Sequence, residues 1–198
     1  MKTIMELCKE VQTGATNSVF EKGAKSEDHT HKLLTGAAIT NSGEVNPEQL
    51  SGVQAKQGKD ISKFLAKEGD VVLLAKGNSI RAAYITRDIA ELNVVVSTNF
   101  ISLRPNEKDA CGELLVTYLN SEQGQSVLDK ISTGAVMKNI NLGNLKKLEL
   151  PTPPLAKQSE LAKLFHARNL AYNSALALAE QQNRVVDACM NKIVLDAA

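Results

Sequence analysis

The sequence predicts an α+β fold: a mixed β-sheet domain over residues 1–154, followed by one long α-helix over 155–198. Up to about Leu150, short β-like runs alternate with Gly, Asn and Ser, the pattern of strands separated by loops. At Pro151-Thr152-Pro153-Pro154, three of the five prolines fall within four residues, which forces an extended segment with few backbone donors. From Ser159 to about Leu195 there is neither Pro nor Gly, and Ala, Leu, Gln, Glu and Lys dominate, the composition of one long helix.

The elements follow in order. Leu33-Leu34-Thr35-Gly36, Gly69 to Leu74 and Asn93 to Ser97 read as strands. Asn99 to Pro105 is apolar at alternate positions with Phe100 out of phase, and Pro105 closes the strand because it cannot donate to a ladder. From Cys111 to Leu119, then at Val127, Leu128 and Ile131, apolar residues recur at three- and four-residue steps, which predicts one or two helices interrupted near Gly124. Leu148-Glu149-Leu150 is a last strand before the prolines. Ser159 is the expected N-cap of the long helix, whose about 37 residues make a rod of ~55 Å.

A heptad template with three inward positions tests that rod for a buried face. One row runs Leu161, Arg168, Ala175, Gln182, Cys189; the next Leu164, Ala171, Leu178, Val185, Lys192; the third Phe165, Tyr172, Ala179, Val186, Ile193. All but Arg168, Gln182 and Lys192 are apolar, a broad face rather than a narrow two-stranded seam. A partner must cover it, and a solitary helix of this length points to a second copy of the chain.

Composition excludes several classes. With 23 Lys+Arg against 22 Asp+Glu and 43% hydrophobic residues in 198, the chain fits a globular unit with an appendage. The net charge of +1 supplies no bulk attraction for nucleic acid, so any basic surface must arise from uneven distribution. The longest apolar runs, Val71 to Ala75 and Val94 to Val96, fall far short of the ~20 residues of a membrane span. Lys2, Glu6, Lys9 and Glu10 break up the opening segment, so no secretory signal is expected and the cytoplasm is the expected location. Cys8, Cys111 and Cys189 are widely spaced, without C-x-x-C, and read as buried thiols rather than a disulfide framework or zinc site. His29-Thr30-His31 lacks a third metal ligand nearby and reads as a polar loop. Walker, H-E-x-x-H and G-x-S-x-G signatures are absent, as are the Asn/Asp-Pro-Pro-aromatic motif and glycine-rich cofactor loop of an adenine methyltransferase. The common enzyme signatures are thus absent, and no cofactor or metal is expected.

Two segments are polar and cationic. Between Asp129 and Glu149 there is no acid, while Lys130, Lys138, Lys146 and Lys147 stand among Asn139, Asn141 and Asn144. Between Asp70 and Asp88 lie Lys76, Arg81 and Arg87, and Lys76-Gly77-Asn78-Ser79-Ile80-Arg81 reads as a loop between strands. Lys and Arg neutralise phosphates while Asn, Ser and Thr reach base edges or phosphate oxygens. Local composition alone favours solvated loops.

The order of these features resembles the specificity (S) subunit of type I restriction-modification systems over nearly the whole chain. Val11-Gln12-Thr13-Gly14-Ala15-Thr16 is similar to the family's opening strand and glycine turn, and Gly69 to Gly77 to its "GD-apolar-L" strand; Ser97 to Pro105 matches as well. The most specific segment is Leu148-Glu149-Leu150-Pro151-Thr152-Pro153-Pro154-Leu155-Ala156-Lys157-Gln158, which resembles the exit from a target recognition domain into a conserved helical spacer. Lys157 stands where the family usually has Glu.

Such subunits typically carry two recognition domains and two conserved helices, whereas this sequence has one of each. The resemblance implies a half-subunit that pairs antiparallel through Leu161, Leu164, Phe165, Tyr172, Leu178, Val185, Val186 and Ile193, forming a homodimer or pairing with a different half. It implies partners too: double-stranded DNA with a two-part site, methyltransferase (modification) subunits that hold the chemistry, and possibly the restriction subunit. It places Thr13, Lys76, Asn78, Ser79, Arg81, Lys138, Asn139 and Asn141 where DNA-recognition loops would be. The rival expectation is a coiled-coil interaction protein, or a decoy that binds methyltransferase subunits without reading DNA.

Overall fold

The computed structural model describes residues 1–21, 28–134 and 137–196; residues 197 and 198 of the expected helix lie outside them. The chain divides into two compact units, Met1–Ala162 and the part from Lys163 onward. In chain order the elements are β1 (Lys2–Thr3), α1 (Ile4–Leu7), β2 (Cys8–Thr13), β3 (His31–Leu33), β4 (Ser51–Val53), β5 (Val71–Leu74), β6 (Lys76–Gly77), β7 (Arg81–Tyr84), α2 (Arg87–Glu91), β8 (Val94–Val95), β9 (Phe100–Pro105), α3 (Gly112–Asn120), α4 (Glu122–Ile131), β10 (Ser132–Thr133), β11 (Lys138–Ile140), α5 (Leu142–Lys146), β12 (Glu149–Leu150) and α6 (Leu155–Asp196).

The first unit is built on an antiparallel sheet of order β2-β9-β5-β7. All four residues of β5 are buried, which explains why Val71 to Leu74 reads as a continuous apolar run: both faces of the sheet are covered. On one side Val72 and Leu74 join Phe100, Ala83, Val94 and Val96 in a single core. On the other, α3 packs against β5 and β7. A smaller sheet, order β4-β3-β8, adds a second cluster of Ala15, Phe20, Ile61 and Val95. Gly14 is required where β2 leaves the main sheet, because a Cβ there would stand 2.2 Å from the carbonyl oxygen of Ser97. Asp70, a buried charge at 1% exposure, accepts from both Arg104 Nε and Nη2, at 2.9 and 2.8 Å, and from the Lys67 N–H. Glu10 accepts from Arg104 Nη1. Buried carboxylates persist only with such partners.

Several boundaries differ from the sequence reading. The strand expected at Leu33–Gly36 runs instead over His31–Leu33, because the Thr35 hydroxyl accepts from the Ala38 N–H and starts a 3₁₀ turn at Gly36. The helical region breaks at Ser121 rather than Gly124: the Ser121 side chain caps α4 by accepting from the Gly124 N–H. Gly124 lies inside that helix, where a Cβ would meet the Tyr118 carbonyl oxygen at 1.9 Å. The long helix begins at Leu155, four residues before the expected cap Ser159, since the Pro154 carbonyl already accepts from the N–H groups of Lys157 and Gln158. Its 42 residues make a rod of ~63 Å. Gln158, 2% exposed, holds the first turn within the domain: its Oε1 accepts from the Cys111 N–H, and its Nε2 donates to the carbonyls of Asp109 and Pro153.

Candidate nucleic-acid interface

The two cationic segments, far apart in sequence, meet in one sheet. After β5 the chain leaves the main sheet at Ala75. The Ala75 and Lys76 N–H groups both donate to the Asn99 carbonyl, at 2.9 and 3.1 Å, and the Ala75 carbonyl accepts from the Ile140 N–H at 2.9 Å. The next two residues form β6, which pairs with β11, and β11 pairs with β10. Lys76 stands opposite Asn139, and Asn139 opposite Thr133. Directly opposed residues project to the same side, so Lys76, Asn139 and Thr133 form a row across three strands, and all three are exposed. Lys76 makes no ion pair among the described residues. The row thus offers one free cation, one carboxamide and one hydroxyl, the groups that bind phosphate oxygens and base edges.

The other expected residues are Asn78, Ser79, Thr13, Arg81, Lys138 and Asn141. Asn78 and Ser79 are exposed at the turn between β6 and β7. Thr13 ends β2 opposite Ile101, which in turn pairs with Leu73, and Leu74 pairs with both Phe100 and Arg81. Thr13, Arg81 and the start of β6 therefore share one end of the main sheet. Arg81 opens β7 rather than lying in a loop. Its guanidinium donates to Asn41 Oδ1 and the Gly36 carbonyl, both at 3.4 Å, and its buried Nε has no partner. Lys138 precedes Asn139 and so projects to the other side of the pleat, where its ammonium meets Asp129 at 2.5 Å. Asn141 caps α5, its Oδ1 accepting from the Gly143 N–H at 2.7 Å. Thr133 and Asn99 join the surface without having been singled out in the sequence; neither carries charge, and only strand pairing reveals them.

A separate concavity of about 510 Å³ is lined by Lys9, Lys67, Asp70, Tyr84, Arg104 and Cys111, among others. Its groups are poorly suited to nucleophilic chemistry. Burial, with Asp70 adding to it, pushes the neighbouring Cys8 thiol up to about 12, and burial raises the Cys111 thiol too. Tyr84 is pushed up to about 12 by burial and then by Glu113 and Glu68. Reactive thiols require the opposite shift. No group of three or more His, Cys, Asp or Glu that could hold a metal occurs among the described residues. The Thr30 hydroxyl and His31 Nδ1 lie 2.8 Å apart.

In α6, every described side chain from Leu170 to Leu195 is exposed. That includes Tyr172, Leu178, Val185, Val186 and Ile193 of the expected pairing face, and Leu164 before them; Leu161 is half-buried. Phe165 differs: it is 5% exposed within the single chain, with the Arg168 guanidinium 5.2 Å from its ring centroid. Leu170, Leu176, Met190, Val194 and Leu195 are exposed off the three template rows, so the open apolar surface is wider than the heptad count implied. No helix among the described residues is long and apolar enough to cross a membrane.

A mixed-sheet domain presenting a polar, cationic row and continuing into a long solvent-exposed helix defines a recognisable class of two-part chain. Residues 2–176 match the profile of the type I restriction modification DNA specificity domain, and the chain belongs to that family. Among solved structures, the HsdS subunit from Thermoanaerobacter tengcongensis is 17% identical with a TM-score of 0.56, over 92% of this chain and 45% of that one. A chain from a structure described as the structural basis underlying complex assembly and conformational transition of the type I R-M system is 18% identical with a TM-score of 0.57, over 90% of this chain and 40% of that one. The chain thus spans less than half the length of either, and the likeness shows a shared fold. Comparison with curated protein sequences finds no match.

Proposed function

We propose that this chain is a DNA-reading half of a type I specificity subunit, non-catalytic and acting in the cytoplasm, which pairs through α6 and brings methyltransferase subunits to a two-part site. The observation that carries the reading is the convergence of β6, β10 and β11, which sets Lys76, Asn139 and Thr133 in one exposed row. Lys76 anchors a phosphate, Asn139 and Thr133 with Asn78 and Ser79 reach base edges, and Arg81 and Thr13 complete the same end of the sheet. Pairing of two copies through the apolar residues of α6 sets the distance between two such rows, as helix-borne dimers do for palindromic sites. A domain boundary at 154/155 separates the reader from the spacer.

The test is solution mass by light scattering, alone and with the neighbouring methyltransferase subunit, followed by duplex binding across salt concentrations. The expected result is a dimer that recruits methyltransferase and whose log affinity for duplex falls linearly with log salt. Leu178→Asp should give a monomer; Phe165 is the poorer probe because it is buried in the single chain. A monomer that ignores methyltransferase overturns the reading. The near-neutral net charge of +1 favours one rival, the decoy, and a dimer that recruits methyltransferase yet binds no duplex at any salt would establish it.

A further inference from the structure

The exposed row continues along β10 and β11 towards Gly134 and Met137. Gly134 has φ +90°, and a Cβ there would stand 2.3 Å from the Met137 carbonyl oxygen, so this position takes a residue without a side chain. Met137 follows at 68% exposure, immediately before Lys138 and Asn139 of β11. Elsewhere the domain covers its large apolar side chains: among the described residues before α6, only Met1, Met5 and Leu92 are also exposed. Among the described residues, Met137 is the one exposed large apolar side chain beside this row, too little apolar surface for protein docking. It has the right character for another role. Methionine is unbranched, flexible and polarisable, and adapts to irregular apolar gaps; it is among the residues that proteins push between stacked base pairs while cationic neighbours grip the phosphates.

We infer that Met137 is an apolar wedge that inserts at a base step of the duplex held by the Lys76–Asn139–Thr133 row. This rests on the DNA-reading proposal and adds to it a mode of recognition, in which a deformable step is selected by its low cost of unstacking. The wedge enters β11, which is anchored through the Ile140 N–H and the Ala75 carbonyl, so its position is set by the fold rather than by the DNA.

The test uses the full chain assembled with its methyltransferase subunits and a duplex selected by that assembly from a random-sequence library. 2-Aminopurine, which brightens when unstacked, replaces one adenine at a time. Wild type should brighten at one step in a manner that depends on Met137; brightening that survives Met137→Ala marks the adenine extruded by the methyltransferase. Met137→Ala should abolish the first signal and weaken binding roughly tenfold, as expected for losing one buried apolar side chain, and Met137→Leu should restore both. Lys76→Ala should weaken binding while the Met137-dependent signal persists at saturation. Met137→Ala that leaves every brightening in place, with affinity within about twofold, overturns the wedge and leaves the DNA-reading proposal standing. An assembly that selects no duplex overturns both.

Discussion

In the four-stranded sheet every residue of β5 is buried, and Arg104 alone in β9 is partly exposed; in the three-stranded sheet Lys76, Thr133 and Asn139 are open to solvent, on strands of two or three residues. The two sheets share one stretch of chain, Val71 to Gly77, and Ala75 is the point of transfer. Strands this short and polar have too little apolar surface to hold themselves together. Their position comes from the buried sheet, and their side chains remain available for contact. Substitutions in the first sheet should therefore cost stability, and those in the second should alter binding with the fold intact.

The largest expected effect comes from the charged anchor of the buried sheet. Asp70→Ala leaves the Arg104 guanidinium with Glu10 as its remaining carboxylate, since Asp70 at 1% exposure supplies two of its hydrogen bonds. Removing one partner of a buried pair costs about 3 kcal/mol, measurable by urea unfolding. A loss below about 1 kcal/mol would mean that the ion pair is not what holds β5 to β9.

Next comes Gly14→Ala. The added methyl would meet the backbone carbonyl oxygens of Ser97 and Val96 at 2.2 and 2.3 Å, and backbone cannot rotate away as a side chain can. Overpacking of this kind costs about 2 kcal/mol. An unfolding midpoint equal to wild type would show that the two segments separate without penalty, and that β2 is a looser edge than its pairing implies.

The contrast between the sheets also explains what could be read in advance. Val71 to Leu74, Phe100 to Pro105 and the proline-flanked exit to α6 are legible because hydrophobic runs and prolines act locally. The expected start of α6 at Ser159 was late because Pro154, which lacks a donor, still caps with its carbonyl. At the candidate surface, Lys76 and Asn139 are visible as members of acid-free segments, yet nothing local says that they stand opposite each other. Thr133 and Asn99 are invisible for the same reason: β6 and β11 pair across residues 78–137 of intervening chain. Arg81 was legible as a cation but not as one already bonded to Gly36 and Asn41.

The smallest effect is also the sharpest test of which side of the three-stranded sheet reads DNA. Lys138 and Asp129 form an exposed pair, with side-chain exposures of 33% and 53%, and such pairs contribute at most about 1 kcal/mol. Asp129→Asn should leave unfolding unchanged within that margin and release the Lys138 ammonium. If the register assigns Lys138 to the side away from the Lys76 row, the freed cation meets no phosphate, and the slope of log affinity against log salt stays at its wild-type value. Lys76→Ala should reduce that slope by about 1. A slope that steepens by about 1 in Asp129→Asn would put Lys138 itself on the phosphate backbone, and the Lys76–Asn139–Thr133 row would then not be the sole phosphate contact of this sheet.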